Sequence, residues 1–294
     1  MSPKQKIILV TGGAGFIGSH LIEQLVKDRN NRVISLDNYF TGTNKNHIKG
    51  AKYLKGHTKD IAKHLKVKPD IIYHLGEYSR VATSLYEPTL VWDMNITGTL
   101  GVLEFWRKHK CKLVYAGSST KFNPAGKNGV AGRDLAPYTW AKAINSELVK
   151  NYGTWYKLNY SIVYFYNVYG PRERAGQFTG AYGTVIEMFK QAYLKKQPLP
   201  VRLPGTQTRA FTHVYDTVAG MILAGTKGKN DEYGICAKEV HSLLEVAKMF
   251  GSKIKMLPQT KTSRSSEAID SKKIKTLGWK QKHTLKQYIE DIKK

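Results

Sequence analysis

Along the first 166 residues, short continuous apolar runs alternate with longer stretches in which apolar residues recur at helical spacing. The continuous runs predict strands at 6–10, 32–36, 52–55, 70–75, 111–116 and 160–166. The amphipathic stretches predict helices at 16–29, 59–66, 88–109 and 138–154. Apolar runs such as IILV and DIIYHL are typical of strands buried on both faces, which occur in parallel sheets with helical crossovers. The pattern therefore predicts an α/β fold with a doubly wound parallel sheet.

After Asn167 the pattern changes, because short segments are interrupted by Gly-Pro, Pro-Gly and single Pro positions. Helices are predicted at 180–196, 213–226, 240–250 and 284–292. We interpret residues 1–166 as a dinucleotide-binding domain and residues 167–294 as a smaller C-terminal α/β substrate region, partly interleaved with the first. Such a region is expected to pack at the carboxyl edge of the strands, where ligands bind in doubly wound folds.

The composition is that of a folded soluble protein with an unusual charge. The chain has 294 residues, and 47 Lys and Arg against 22 acidic residues give a net charge of +25. A nucleic-acid-binding surface is one interpretation. A solvated lysine-rich surface is the other, and it is favoured because the lysines are spread at helical spacing without interleaved aromatic residues. We therefore do not expect a nucleic-acid partner, although a non-catalytic nucleic-acid-binding protein stays as the alternative from another class.

The chain has two cysteines, Cys111 and Cys236, which form no CxxC motif. They are expected to be buried free thiols, and no metal site is expected. The apolar runs are too short to cross a bilayer, and the N-terminal MSPKQK lacks the apolar core of a signal peptide. The expectation is a cytoplasmic protein without a membrane partner.

Three glycines, Gly12, Gly15 and Gly18, follow the first predicted strand and precede the first predicted helix. Glycine there permits a tight turn and close approach of a pyrophosphate, to which the helix N-terminus offers N–H groups. The second strand ends in Asp37, nineteen residues after Gly18. A carboxylate at this distance accepts hydrogen bonds from an adenosine ribose and repels a 2′-phosphate, and Asn38 rather than an arginine follows. The sequence therefore predicts NAD rather than NADP.

Tyr138 and Lys142 stand four residues apart in a predicted helix, so both lie on one face. A nearby ammonium favours the phenolate, which lets a tyrosine exchange a proton with a substrate hydroxyl while a hydride moves to or from a nicotinamide. Behind a dinucleotide motif, this pair predicts redox chemistry on an alcohol. The alternative is a surface lysine beside a half-buried tyrosine.

Ordered motifs along nearly the whole chain resemble the extended short-chain dehydrogenase/reductases that act on nucleotide sugars. These motifs are TGGAGFIGSH, SLDNYFTG, PDIIYHLGEYSRVATSLYEP, NITGTLGVLEF, VYAGSST, PYTWAKA and NVYGP. The family includes UDP-glucose 4-epimerases, dTDP-glucose 4,6-dehydratases and UDP-glucuronate decarboxylases. The resemblance implies a Rossmann NAD domain, a smaller C-terminal domain for a nucleotide-sugar substrate, and a homodimer formed through the helices at about 88–109 and 138–154.

The resemblance also implies roles for individual residues. Ser118 would hold the sugar oxygen that Tyr138 deprotonates, and Lys142 would bind the nicotinamide ribose. Asn167 would lie beside the substrate, and Arg209 and Arg264 would bind the nucleotide, although either arginine could be a surface residue. The remaining cofactor contacts would be Gly12, Gly15, Phe16, Ile17, Gly18, Asp37, Asn38, Leu75 and Asn95.

Three departures from the family pattern bear on the reaction. His57 lies where the family usually has an aspartate that contacts adenine. Glu77 replaces the second alanine of HLAA, and it is either a contact to a sugar hydroxyl or amine or a buried paired acid. The acid pair of the dehydratases is replaced by Ser119 and Thr120, with an unexplained Lys121 after them. Without that pair, water elimination lacks its general acid and base.

The expectation is therefore a 4-epimerase of a UDP-hexose or UDP-N-acetylhexosamine. A dehydratase, decarboxylase or reductase of the same family is the alternative.

Overall fold

The computed structural model describes residues 5–122, 132–174, 184–259 and 270–294. The strands are β1 (Lys6–Thr11), β2 (Asn31–Asp37), β3 (Ala51–Lys55), β4 (Ile71–His74), β5 (Lys112–Ser118), β6 (Tyr160–Phe165), β7 (Val168–Tyr169), β8 (Leu199–Arg202), β9 (Thr208–Ala210), β10 (Thr212–His213), β11 (Asp231–Ile235), β12 (Val240–Ser242) and β13 (Ile254–Leu257). The α-helices are α1 (Phe16–Leu25), α2 (Ile61–His64), α3 (Val81–Ser84), α4 (Pro88–Val91), α5 (Gly98–His109), α6 (Pro137–Trp155), α7 (Val185–Leu194), α8 (Val214–Thr226), α9 (Leu243–Phe250), α10 (Lys272–Thr276) and α11 (Leu285–Lys293).

Seven strands form one parallel sheet in the order β11-β6-β5-β4-β1-β2-β3. The order reverses between β1 and β4, so the loops after these two strands diverge and leave a crevice at their carboxyl ends. The predicted doubly wound α/β fold is confirmed. No helix in the described ranges has both the length and the apolar character needed to cross a bilayer.

Each face of the sheet carries its own apolar core. On one face α1 and α8 pack against the strands through residues such as Leu21, Val218 and Met221. On the other face α5 and α6 do so through residues such as Trp106 and Val149. Burial on both faces explains why the strands are continuous apolar runs rather than alternating patterns.

The sequence prediction missed β11, although this strand pairs with β6 and completes the sheet. Its sequence, DEYGI, begins with two acids and contains a glycine, so it has neither the alternation nor the apolar run that predicts a strand. With α8, it returns the chain to the main sheet after Asn167. The smaller unit consists of α7, β8, β13, α9 and α11 around a separate core.

Two of the stretches predicted as single helices are divided into more than one element. The stretch 88–109 contains α4, a π-helical segment at Trp92–Thr97 and α5. The stretch 240–250 begins as β12, and α9 starts only at Leu243, where the Ser242 hydroxyl accepts a hydrogen bond from the Glu245 N–H and caps the helix.

Candidate active site

A cavity of about 450 Å³ lies at the carboxyl edge of the sheet, where the order of strands reverses. It brings together most of the residues that the sequence singled out. Those lining it are Gly12, Gly15, Phe16, Ile17, Gly18, Asp37, Asn38, Leu75, Glu77, Ser118, Ser119, Thr120, Tyr138, Lys142, Asn167 and Arg209. Arg264 lies outside the described residues, as does the side chain of Lys121.

The glycine loop is shaped by packing within the protein as well as by space for a ligand. Gly12 has a φ of +73°, and a Cβ there would lie 2.9 Å from the backbone of Gly76. A Cβ on Gly18 would lie 2.1 Å from the carbonyl oxygen of Gly12. At Gly15 the corresponding distance is 3.2 Å, and this residue is the N-cap of α1, with no side chain to cap the helix. Two of the three glycines are therefore required by the fold itself.

Asp37 ends β2 and holds the glycine loop in place. One carboxylate oxygen accepts the Ala14 N–H at 2.9 Å, and the other accepts the Tyr39 N–H at 2.7 Å. Burial raises the pKa of Asp37, while these two N–H groups act in the opposite direction. Because each carboxylate oxygen has a second lone pair, the group can still accept hydrogen bonds from a ligand in the cavity.

The three predicted catalytic residues come from two adjacent elements. Ser118 is the last residue of β5, and its hydroxyl is 2.9 Å from that of Thr120. Tyr138 lies in the first turn of α6, and Lys142 lies one turn further on. All three are nearly buried but face the cavity. The Lys142 ammonium also donates to the Ala116 carbonyl at 2.6 Å, which fixes it beside β5.

Glu77 forms an ion pair with Lys142 inside the protein, where its side chain is only 1% exposed. Its other oxygen accepts hydrogen bonds from the Thr99 hydroxyl and the Asn145 amide, each at 2.9 Å, and from the Tyr115 hydroxyl at 3.1 Å. Burial alone would raise the pKa of Glu77, but the Lys142 ammonium holds it below its ordinary value. Of the two sequence interpretations of Glu77, the paired acid is therefore the one that the contacts support.

A chain of hydrogen bonds links this carboxylate to the glycine loop. His74 lies between the Thr11 hydroxyl, 2.7 Å from Nδ1, and the Thr99 hydroxyl, 3.0 Å from Nε2. Burial lowers the pKa of His74 to about 4, so the ring is neutral. A neutral ring that carries its proton on Nε2 satisfies every bond in the chain from Thr11 to Glu77.

Asn95, which was predicted to contact the cofactor, and His57, which replaces the family's aspartate, have partners within the protein. Asn95 is fully buried and does not line the cavity. Its amide accepts the Tyr78 N–H at 2.7 Å and donates to the Tyr78 carbonyl at 3.0 Å, so it shapes the loop after β4. The predicted cofactor contact of Asn95 stays a prediction. His57 also lies outside the cavity, where Nδ1 accepts the Lys59 N–H and Nε2 lies 3.3 Å from an oxygen of Asp93.

Residues from the segment after β6 and from β9 also line the cavity. Asn167 follows β6 with a φ of +41° and donates from its amide to the Ala210 carbonyl at 3.3 Å. Arg209 lies in the middle of β9. Arg80, Arg172 and Arg174 also line the cavity, so its walls carry more positive than negative groups. Such walls favour an anionic ligand.

The model of the NAD dependent epimerase/dehydratase family matches residues 8–236 of the chain. The chain belongs to this family.

The chain is similar to proteins that are named for different activities. It is 30% identical over 97% of each chain to a putative UDP-glucose 4-epimerase of Methanocaldococcus jannaschii. It is 32% identical, over 83% of this chain and 78% of the relative, to a UDP-N-acetyl-alpha-D-glucosaminuronate decarboxylase of Bacillus cytotoxicus. Its fold matches the UDP-glucose 4-epimerase of Thermus thermophilus, solved in complex with NAD, with a TM-score of 0.84 and 26% identity over 96% of each chain.

NAD is the cofactor of this family, and the site in this member fits it. Gly12, Gly15 and Gly18 line the cavity, and α1 begins at its wall with Phe16. Positive potential at a helix N-terminus suits a pyrophosphate. The Asp37 carboxylate, held by two backbone N–H groups, suits ribose hydroxyls.

Sequence reasoning missed the three residues that donate hydrogen bonds to Glu77, the ion-pair partner of Lys142. Asn145 lies three residues after Lys142 on the same face of α6, and this spacing could have indicated it. Thr99 and Tyr115 gave no signal, because a threonine in a helix and a tyrosine in a buried strand are ordinary core residues. Glu173, which also lines the cavity, was missed as well.

Proposed function

We propose that this protein is an NAD-dependent nucleotide-sugar 4-epimerase acting on a UDP-hexose or a UDP-N-acetylhexosamine. The observation that carries the proposal is that Ser118, Tyr138 and Lys142 line the same cavity as the glycine loop and Asp37. The two positions after Ser118 are Ser119 and Thr120, and the Thr120 hydroxyl bonds to that of Ser118. The site therefore has groups for exchanging one hydroxyl proton, and it has no acid pair at these positions to eliminate water.

In this mechanism, bound NAD supplies a reversible hydride acceptor. Tyr138 removes the proton of the 4-hydroxyl and later returns it, and Ser118 donates a hydrogen bond to the same sugar oxygen. Lys142, fixed by Glu77 and the Ala116 carbonyl, keeps a positive charge beside Tyr138 and binds the nicotinamide ribose. Inversion at C4 would require the cavity to admit the oxidised sugar in two orientations.

A decarboxylase of a UDP-uronic acid is the second candidate. The decarboxylase relative is about as similar to this chain as the epimerase relative. In addition, Arg209 and Arg80 give the cavity guanidinium groups that suit a carboxylate.

Incubation of the NAD-loaded protein with UDP-hexoses, UDP-N-acetylhexosamines and UDP-uronic acids, followed by NMR, separates the two candidates. A product inverted at C4 with all its carbons supports the epimerase. Release of CO₂ with formation of a UDP-pentose supports the decarboxylase, and a 4-keto-6-deoxy product would overturn both.

A homodimer is part of the proposal, formed through the helical stretch 88–109 and through α6. Trp92 and Trp140 are 39% and 38% exposed, and their rings meet edge to face at 5.7 Å on the surface. With Ile96 they form an apolar patch of the kind that association covers. Sedimentation of the Trp140→Lys variant at lower apparent mass than the wild type would support this assembly, and an unchanged mass would contradict it.

A further inference from the structure

Glu173 is a buried acid in the wall of the cavity whose carboxylate has no hydrogen-bond partner of normal geometry within the described residues. Only 9% of the residue's surface is exposed. A buried polar group without a partner costs free energy, because it has lost its bonds to water without replacement. Natural proteins contain few such groups, and each calls for an explanation.

The residues directly before Glu173 are fixed by contacts with α1 and α8. Arg172 has a φ of +62°, and its guanidinium donates to a Glu23 oxygen of α1 at 2.5 Å. Gly170 has a φ of +148°, and a Cβ there would lie 2.7 Å from the Val214 side chain. The Arg172 side chain is therefore tied to α1, while the next residue lines the cavity. Glu173 is placed there by a fixed backbone.

The groups around Glu173 come from two other elements. Arg80 precedes α3, Thr184 caps α7, and Glu187 and Lys190 lie on α7. Burial raises the pKa of Glu173 to about 8, with Glu187 acting in the same direction and Thr184, Arg80 and Lys190 against it. At neutral pH the carboxyl group is therefore mostly protonated, so it offers one O–H donor and one carbonyl acceptor.

We propose that Glu173 is a specificity-determining residue that binds a hydrogen-bond-donating substituent, a hydroxyl or an amine, on the sugar of the substrate. This rests on the proposed function, because it takes the ligand to be a nucleotide sugar. A phosphate or a substrate carboxylate suits this position less well, since it accepts the O–H of the protonated carboxyl group but leaves the carbonyl oxygen without a donor, and it repels the ionised form. A hydroxyl both donates and accepts, and an amine pairs with the ionised form.

Glu173→Leu and Glu173→Gln test the assignment, with Glu187→Gln as the matched control. Glu187 is buried even more completely, but its oxygens accept hydrogen bonds from Lys190 and Gln191. The measurement is the Kd, by calorimetry on NAD-loaded protein, for UDP and for UDP-sugars that differ in one ring substituent. The panel includes UDP-glucose, UDP-glucosamine, UDP-N-acetylglucosamine and UDP-xylose.

Glu173→Leu is expected to weaken binding of the matching sugar about tenfold or more, the loss of roughly one hydrogen bond, and to leave the Kd for UDP unchanged. If the substituent is a hydroxyl, Glu173→Gln keeps most of the affinity. If it is an amine, Glu173→Gln loses as much affinity as Glu173→Leu.

Thermal unfolding gives a readout that does not depend on any ligand. The pKa of Glu173 is higher in the folded protein than the ordinary 4.5. The folded state therefore loses stability as pH rises from about 4.5 to about 8. Glu173→Leu is expected to raise the Tm, and to raise it more at pH 9 than at pH 5, whereas Glu187→Gln lowers it.

Equal Kd values for wild type and Glu173→Leu across a panel that the wild type binds would overturn the role of Glu173 alone. A lower Tm of Glu173→Leu at pH 9 would show a structural role instead. Failure of the wild type to bind any nucleotide sugar would overturn the proposed function together with this inference.

Discussion

The Lys142 ammonium and the Glu77 carboxylate form an ion pair inside the protein, next to the hydroxyl-bearing residues of the cavity. Every other hydrogen bond to Glu77 comes from a neutral donor, on Thr99, Tyr115 or Asn145. The two charges therefore neutralise each other, and neutral donors satisfy the remaining lone pairs of the carboxylate. A buried ion pair can be stable in this arrangement. It sets the position of the lysine that the proposed mechanism needs.

Breaking this pair from one side is expected to destabilise the fold. Glu77→Gln leaves the Lys142 ammonium buried without a counter-charge, and we expect a loss of about 3–5 kcal/mol. Glu77→Gln with Lys142→Met is expected to lose less than the sum of the two single changes. Urea unfolding of the wild type, the two single variants and the double variant gives the coupling free energy between Glu77 and Lys142. Tyr115→Phe, which removes one neutral donor to Glu77 but no charge, is the control and is expected to lose about 1 kcal/mol.

The difference in unfolding free energy between wild type and Glu77→Gln is expected to depend on pH. The reason is that the pKa of Glu77 lies below its ordinary value of 4.5 in the folded protein. The stabilisation is therefore fully present above pH 4.5 and is lost as pH falls through the folded value. The gap in unfolding free energy between wild type and Glu77→Gln is expected to narrow in acid. A gap that widens below pH 4.5 would contradict the ion pair.

Most of the fold follows from the chain's pattern, because strands buried on both faces are continuous apolar runs. β11 does not, since its place in the sheet comes from pairing with β6 and not from its own residues. In the site, Gly12, Asp37 and Tyr138 lie where local spacing predicts them. Glu77 could be identified as unusual, but its partner could not, because 65 residues separate it from Lys142. Polar residues that pair over a long distance in the chain have no characteristic spacing, unlike the residues of a helix or a strand.

The glycines of the loop after β1 are expected to differ in what they contribute. Gly18→Ala would place a Cβ 2.1 Å from the Gly12 carbonyl oxygen, so it should cost about 1–3 kcal/mol of stability even without NAD. Gly15→Ala meets the same oxygen only at 3.2 Å and has an ordinary φ of −80°. It should keep most of the stability and weaken NAD binding. Unfolding of the NAD-free proteins measures the stability, and titration with NAD measures the affinity. Equal losses of stability and equal losses of NAD affinity in the two variants would contradict this prediction.

The choice of dinucleotide is expected to depend on the Asp37 charge. Asp37→Asn keeps an oxygen for a backbone N–H but loses the charge that repels a 2′-phosphate, so the preference for NAD over NADP should fall about tenfold. Burial raises the pKa of Asp37, so the preference of the wild type should decline at a higher pH than for an exposed aspartate. Fluorescence titration with both dinucleotides measures it. Asp28→Asn, at an exposed turn, is the control that should leave the ratio unchanged.

Removal of the Tyr138 hydroxyl is expected to stop turnover while the fold and NAD binding are kept. The Tyr138 main-chain N–H donates to the Ser84 hydroxyl, and this bond survives in Tyr138→Phe, so the start of α6 stays in place. Loss of a group that exchanges the substrate proton should lower kcat by about 10²–10⁴. Tyr152→Phe on the same helix removes a hydroxyl that donates to Glu104 at 2.8 Å, away from the cavity, and should keep full kcat. Equal kcat values for the two variants would mean that Tyr138 does not carry the proton, and the catalytic assignment would then have to move to another group in the cavity wall.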